Sequence, residues 1–450
     1  MKYKKYLIKI SQQIKNYKTT IKVDSDKSIS IRSFLISSIS HDVSKISNAL
    51  DSEDVQSTID CLKRLGVKIK RTGSRSYDIY GKGLGSLIAT KNASLNFGNS
   101  GTLARLLIGI LSTTPNIRIK MQGDHSLNKR SMEKLIKCMS EFGAEFLPKK
   151  KFKFPLTIVS SEMPVAIKYK AGVSAQLKSA VMLSALNSFG NTKIYEEQLS
   201  RDHTENMLMQ SPSIIKIKNK KNERIIKIFG KKYLEPLKIN VPGDPSSAAF
   251  FTALTILNKK SNLIIKDVCL NPKRIGFYKI LKAHGAKINF KKLKKINNEM
   301  KGDIYVKSSK LRPIKASRKY YVSATDEYPI LFVIAALTPG ISIFKGIKDL
   351  SNKESSRAEE MKKILKQINI RCKSTKDEMK IWGLREIKKS NSNISVPSLG
   401  DHRICMSVAI LSLITGIKAK IKNFETVNTS SPSFLKIIKH LGGKYEIEKI

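Results

Sequence analysis

At 450 residues the chain is longer than one hydrophobic core usually serves, so two domains are expected. A hydrophobic share of 41% and a mean hydropathy of −0.24 fit a soluble globular protein, and no apolar run reaches membrane-spanning length. The formal net charge of +48 invites a nucleic-acid reading, yet the lysines spread along the whole length with Ile and Asn, a pattern biased nucleotide composition accounts for, and no nucleic-acid-binding motif accompanies them.

The chain opens on a basic stretch, residues 1–6, that no apolar signal-peptide core follows, so a cytosolic location is expected. The first segment rich in chemistry is Lys27-Ser28-Ile29-Ser30-Ile31-Arg32, after the turn-prone residues 24–26. As a strand it would place Ser28, Ser30 and Arg32 on one side; as a helix start it would set Ser28 and Arg32 about one turn apart. In both geometries a hydroxyl, a guanidinium and Lys27 can meet one phosphate or carboxylate.

Next comes an amphipathic helix with Val55, Ile59, Leu62 and Leu65 on one stripe, which ends at Gly66 and gives way to a strand. The same phrase of helix end, left-handed cap and strand returns around Gly143, Gly285 and Gly442. Asn369 fills the cap slot of a fifth copy, and a degraded sixth is expected at 207–217 with Gln210-Ser211 at the turn. The caps fall roughly 70–80 residues apart, longer than solenoid periods, which suggests six copies of one α/β module in two three-module domains. Turn chemistry at 24–26 and 241–245 marks the expected crossings. They give an N-terminal lobe over 26–243 and a C-terminal lobe made of 1–25 plus 244–450.

Several expected helix starts carry charged or small residues. Gly98-Asn99-Ser100-Gly101-Thr102 opens an apolar helix with Arg105 in its first turn, and glycines there let a backbone approach an anion. Residues 123–130 put Lys129 and Arg130 at a helix start, and Ser174 with Gln176 sits at an entry otherwise lined by small residues. Asp244 or Ser246 reads as an N-cap, which favours a structural and hinge role for residues 243–247. Asp326-Glu327 precede a fully apolar helix, where a carboxylate can cap or act as a general base. Lys353 and Arg357 are placed four apart on one helical face, with Glu354 offset, and two cations so placed want an anion between them. Asp401-His402-Arg403 opens the last apolar helix. Together these basic helix starts suit a polyanionic small molecule. The five cysteines are scattered and never paired as CxxC, so neither a disulfide framework nor a zinc site is expected.

Taken in order, KSISIR (27–32), FGNSGT.AR (97–105), GDHSL.KR (123–130), SAQ.KSA (174–180), SRDHTE (200–205), PGDPSSAAFF (242–251), DEYP (326–329), KESSR (353–357) and GDHR (400–403) resemble the enolpyruvyl transferases, and within them the 5-enolpyruvylshikimate-3-phosphate (EPSP) synthase family. The resemblance runs from about Lys22 to Gly443. It implies a two-lobed inside-out α/β barrel of six βαβαββ-type modules, three per lobe. It also implies transfer of the enolpyruvyl group of phosphoenolpyruvate to the 5-hydroxyl of shikimate 3-phosphate, releasing phosphate, by a monomer without cofactor, metal, nucleic acid or membrane partner.

By this resemblance, shikimate 3-phosphate would meet Lys27, Ser28, Arg32, Ser174, Ala175, Gln176, Ser200, Arg201, Asp326 and Lys353, mainly in the N-terminal lobe. Phosphoenolpyruvate would meet Lys27, Gly101, Arg130, Gln176, Glu354, Arg357 and Arg403, mainly from the C-terminal side. Asp326, Glu354 and Lys27 would be catalytic, with Asp326 taking the hydroxyl proton and Glu354 handling the proton at the enol methylene. Gly101 in place of Ala implies sensitivity to the family's inhibitor glyphosate. Some family features are absent: Leu106 and Ser131 replace common prolines, Ala175 replaces a second serine, and Asn428-Thr429 stand where some members present a lysine. Two rivals are a UDP-N-acetylglucosamine enolpyruvyl transferase, disfavoured by Lys27-Ser28 in place of Lys-Asn, and a basic nucleic-acid-binding protein on a decayed transferase fold.

Overall fold

The computed structural model describes residues 5–90, 93–384, 386–387 and 393–449. They form two compact units. The N-terminal unit is Ser25–Val241 with Ile296–Glu299; the C-terminal unit is Met1–Asp24, Pro242–Lys295 and Met300–Ile450. Among the described residues each unit holds three four-stranded sheets.

All six sheets share one plan: a parallel edge pair followed by two antiparallel neighbours. In one sheet Ser94–Asn96 runs parallel to Arg118–Gln122, which is antiparallel to Leu156–Val159, itself antiparallel to Glu145–Leu147. Parallel strands need a crossover, and the helix Gly101–Ser112 supplies it. The order strand, helix, strand, helix, strand, strand is the βαβαββ module, and the expected α/β class of six modules, three per unit, is the one found.

Two sheets borrow their parallel edge strand across a chain crossing. Lys238–Asn240 pairs with Val43–Ser47 in the N-terminal unit, and Lys18–Ile21 pairs with Asn262–Cys269 in the C-terminal unit.

In every module the first helix is buried on nearly all sides. Pro245–Leu257, Tyr328–Ala336 and His402–Thr415 are apolar or small beyond their first turns, and they pack on one another as the core of the C-terminal unit. The strands alternate instead, as Val43–Ser47 does, with one face on the helices and one outward. Helices inside and sheets outside make each unit an inside-out barrel. In the N-terminal unit Gly109 lets two core helices meet. A Cβ there would stand 2.7 Å from the carbonyl oxygen of Ala180, so only glycine permits the approach.

Five of the expected left-handed caps are found, at Gly66, Gly143, Gly285, Asn369 and Gly442. The sixth differs. The helix His203–Leu208 leaves through successive tight turns, with Gln210 and Ser211 donating to Met207 and Leu208, and no residue there takes positive φ. Such a turn needs no Gly or Asn, which is why its signature is blurred. The five cysteines are free thiols, four of them buried.

Candidate functional site

The candidate residues fall into two clusters, one in each unit. In the N-terminal unit Lys27 opens the helix Lys27–Ile39, so the helical reading of 27–32 is the correct one. Asp26 caps it by accepting from the Ile29 amide at 2.8 Å. Lys27 Nζ lies 3.1 Å from Asp54 Oδ2. Arg32 is buried and held by neutral oxygens: its Nε donates to Thr204 Oγ1 at 3.0 Å, Nη1 to the Ser28 carbonyl at 3.2 Å and Nη2 to Ser179 Oγ at 3.3 Å.

The helix Gly101–Ser112 begins with Ser100 as its cap, and Gly101, Gln176 and Arg130 meet near that end. Arg105 Nη1 donates to Gln176 Oε1 at 3.0 Å, and Gln176 Nε2 donates to Thr102 Oγ1 at 2.9 Å. Arg130 Nη2 donates to Asn99 Oδ1 at 2.8 Å, and a Cβ on Gly101 would touch both guanidinium groups. Arg105 therefore belongs to this cluster, and its place inside the GNSGT.AR motif is the signal the sequence offers for it. Lys129 and Arg130 stand at the end of the short helix His125–Lys129, not at a helix start as expected. Ser174 caps the helix Ala175–Ala185, with Ala175 and Gln176 half-buried in its first turn.

Ser200 is fully buried, and both its amide and its hydroxyl donate to Glu196 Oε1, at 2.8 and 2.7 Å. Glu196 and Glu205 each sit 2.7 Å from Lys178 Nζ, and Arg224 lies 3.7 Å from Glu196, Asp202 and Glu205. Burial pushes the Glu196 carboxyl up, but Lys178 and the two Ser200 donors outweigh it and hold the group below its ordinary range. Arg201 follows directly on this anchored loop. The sequence signal for the buried network was a lysine inside an otherwise apolar helix, since a buried ammonium must be paired.

In the C-terminal unit Arg357 is the centre. Its Nε donates to Asp401 Oδ2 at 2.9 Å, its Nη2 to Glu354 Oε2 at 2.5 Å, and its Nη1 lies 3.5 Å from Asp326 Oδ1. Burial disfavours the Arg357 charge, but Asp401, Glu354 and Asp326 outweigh it and raise its pKa further. The helix starts only at Arg357, while Lys353 and Glu354 precede it after the 3-10 turn Lys348–Asn352. The expected pairing of Lys353 and Arg357 on one helical face is therefore wrong; three carboxylates surround Arg357. Glu327 is the N-cap residue of Tyr328–Ala336 but makes no side-chain cap bond, and Asp326 lies in the turn before it, its side chain 21% exposed. Asp401 caps the last core helix by accepting from the Arg403 amide at 3.0 Å. Arg403 is buried, its guanidinium carbon 5.9 Å from the Phe250 ring centre, and its Nε and Nη1 have no hydrogen-bond partner among the described residues.

A sequence model of EPSP synthase (3-phosphoshikimate 1-carboxyvinyltransferase) matches residues 11–438. The chain belongs to the EPSP synthase family. It is 38% identical to the 3-phosphoshikimate 1-carboxyvinyltransferase of Petrotoga mobilis over 95% of this chain and 97% of that protein. The corresponding protein of Zymomonas mobilis is 35% identical over 95% and 94%. The solved EPSP synthase of Acinetobacter baumannii superposes with a TM-score of 0.84 at 32% identity, covering 99% of this chain and all of that one. An enolpyruvyl transferase from Streptomyces tendae, NikO, shares the fold at 12% identity with a TM-score of 0.77 over 99% of this chain and 100% of that one.

Proposed function

We propose that the protein transfers the enolpyruvyl group of phosphoenolpyruvate to the 5-hydroxyl of shikimate 3-phosphate and releases inorganic phosphate, acting in aromatic amino acid biosynthesis. The carrying observation is the EPSP synthase match over nearly the whole chain, with the motif residues present together at the ends of core helices.

Lys27, Ser28, Arg32, Ser174, Gln176 and Arg201 hold shikimate 3-phosphate, with Ala175 beside them and Asp326 and Lys353 completing the set. Ser200, whose hydroxyl is spent on Glu196, serves by fixing the loop that carries Arg201. Lys27, Gly101, Arg130, Gln176, Glu354, Arg357 and Arg403 hold phosphoenolpyruvate. A buried guanidinium is costly without an anion, and Arg403, short of partners on two nitrogens, gains one when phosphate or carboxylate binds.

Addition of an alcohol across an enol double bond removes a proton from oxygen and delivers one to carbon. Asp326 accepts the hydroxyl proton as the C–O bond forms, and Glu354 delivers a proton to the methylene. In the tetrahedral intermediate the methyl group then returns a proton to Glu354, the C=C bond re-forms and the C–O bond to phosphate breaks. Lys27, Arg130, Arg357 and Arg403 stabilise the charge that leaves. No cofactor or metal enters this scheme. The protein works as a cytosolic monomer, and among the described residues no helix is long and apolar enough to cross a membrane.

Neither rival is favoured. The relatives are carboxyvinyltransferases acting on 3-phosphoshikimate, and the catalytic positions a decayed enzyme would have lost are all present. Phosphate release from the two substrates, measured for wild type and Asp326→Asn, tests the proposal. Wild type is expected to release phosphate and the variant to lose about 100- to 10,000-fold in kcat. No release by wild type would overturn the function, whereas unchanged release by the variant would overturn only the role of Asp326.

A further inference from the structure

We infer that Arg274, which belongs to none of the family motifs above, is the positioning residue of Asp326: it fixes one oxygen of that carboxylate and sets the direction from which the substrate proton is taken. The inference rests on the proposed role of Asp326.

Arg274 lies in the short connection between the strand Asn262–Cys269 and the helix Gly276–Ala283 and is 2% exposed. The connection is rigid. The Arg274 amide donates to the Asn271 carbonyl at 2.8 Å, and the Lys273 amide donates to Asn271 Oδ1 at 2.9 Å. It is also pressed onto the segment that leads to Asp326. A Cβ on Gly276 would stand 2.2 Å from Ser323 Oγ and 2.8 Å from the Ser323 carbonyl carbon, an approach that only glycine allows.

From this fixed backbone the guanidinium reaches two carboxylates. Nη2 lies 3.1 Å from Asp244 Oδ1 and Nη1 lies 3.5 Å from Asp326 Oδ2. The other oxygen of Asp326 lies 3.5 Å from Arg357 Nη1, so its two oxygens are divided between two arginines. The arrangement is matched on both sides. Arg274 is anchored on Asp244, which caps the core helix Pro245–Leu257, and Arg357 is anchored on Asp401, which caps His402–Thr415. Both arginines and both capping carboxylates are buried, while the Asp326 side chain keeps 21% of its surface open. The Asp326 carboxylate is therefore the one with surface exposed to a substrate, and its rotation is set by groups tied to the ends of two core helices.

The pH profile of kcat for wild type, Arg274→Gln and Arg274→Lys tests this, with melting temperature followed in parallel. Arg274→Gln is expected to keep the KM for phosphoenolpyruvate within about twofold and to lose about 10- to 100-fold in kcat, the scale of a misdirected catalytic group. Its acid limb should move to higher pH, since one of the two cations beside the carboxylate is removed while Arg357 remains. Arg274→Lys keeps a charge without the two-way reach and should fall between the two. A purely structural role would lower the melting temperature and the active fraction while leaving the acid limb in place, and that result overturns the inference. If Arg274→Gln does not fold, Arg274→Lys decides: a wild-type kcat and acid limb overturn it. A wild type that releases no phosphate overturns the proposed function and this inference with it, whereas an active wild type with unshifted variants overturns the inference alone.

Discussion

The Cβ that Gly101 lacks would stand 2.7 Å from Nη1 of Arg105 and 3.1 Å from Nη1 of Arg130. Gly101 does not occupy the left-handed region, so alanine there adds no backbone strain, and the atoms it meets are ends of flexible side chains. Gly101→Ala is therefore expected to fold normally while displacing the guanidinium of Arg130, a member of the proposed phosphoenolpyruvate set, together with that of its neighbour Arg105. The KM for phosphoenolpyruvate should rise roughly tenfold, about 1.4 kcal/mol of binding, with a smaller change in kcat. Inhibition by glyphosate, to which the family resemblance implies sensitivity, should weaken at least as much. Steady-state kinetics with and without glyphosate check both. A variant with unchanged KM would show that the two arginines do not act through this point. The motif residues were legible in the sequence because each is a charged or small residue at a helix start. Arg274 was not, because it lies 52 positions from Asp326 (326 − 274) in a connection with no periodic pattern, and only the tertiary fold brings them together.

At the scale of an element, the helix Ala175–Ala185 and the loop after Asn191–Glu196 are tied by one buried ionic cluster. Glu196→Gln removes a carboxylate from Lys178, Arg224 and the two Ser200 donors at once. Breaking a buried pair on one side costs about 3–5 kcal/mol, so the variant should melt well below wild type near neutral pH. The sign with pH follows from the depressed carboxyl of Glu196. Its stabilisation is fully present above the unfolded value of roughly 4.3 and is lost as pH falls through the lower folded value. The gap between wild type and variant should therefore narrow as the pH drops below about 4. Thermal unfolding at pH 7 and below 4 reads this directly, and a gap that stays constant would mean Glu196 is not the group that titrates. Because the same carboxylate holds the Ser200 loop, the KM for shikimate 3-phosphate should rise while that for phosphoenolpyruvate changes less. A 3-10 turn displaces one expected helix start, that at Lys353. The charge pattern suggests a helical face there, but the backbone enters the helix only at Arg357.

At the scale of the whole chain, the six modules were readable because five of their caps need a left-handed residue, which the sequence can supply only as Gly or Asn without strain. What the sequence could not display is how the chain ends fit the repeat. In the first module of the N-terminal unit, Lys68–Gly73 and Ser76–Tyr80 form the closing hairpin. In the last module the equivalent hairpin consists of Glu446–Lys449 and Tyr6–Ile10, with Tyr6 opposite Lys449, and Tyr6–Ile10 pairs on its other side with Lys418–Ile421. The N-terminal strand is thus an inner strand of the C-terminal unit, and Leu7, Ile8 and Ile10 are buried in it. Removing residues 1–11 should cost about 1.5–3 kcal/mol for each of those side chains, together a large part of the ordinary stability of a domain. The truncated protein should lose the C-terminal unit's protection against hydrogen exchange. The same pairing makes a circular permutant feasible. Residue 449 would be joined to residue 6 by a short turn, and the chain opened at the tight turn 220–223, between Ile215–Asn219 and Arg224–Phe229. That design joins the two strands of this pair by a turn and opens the counterpart hairpin in another module. It should fold and release phosphate within about tenfold of wild type, because few buried contacts depend on an exposed turn. An insoluble permutant beside a stable, active truncation would show that the N-terminal strand is dispensable, and the modular closure described for the C-terminal unit would then be wrong.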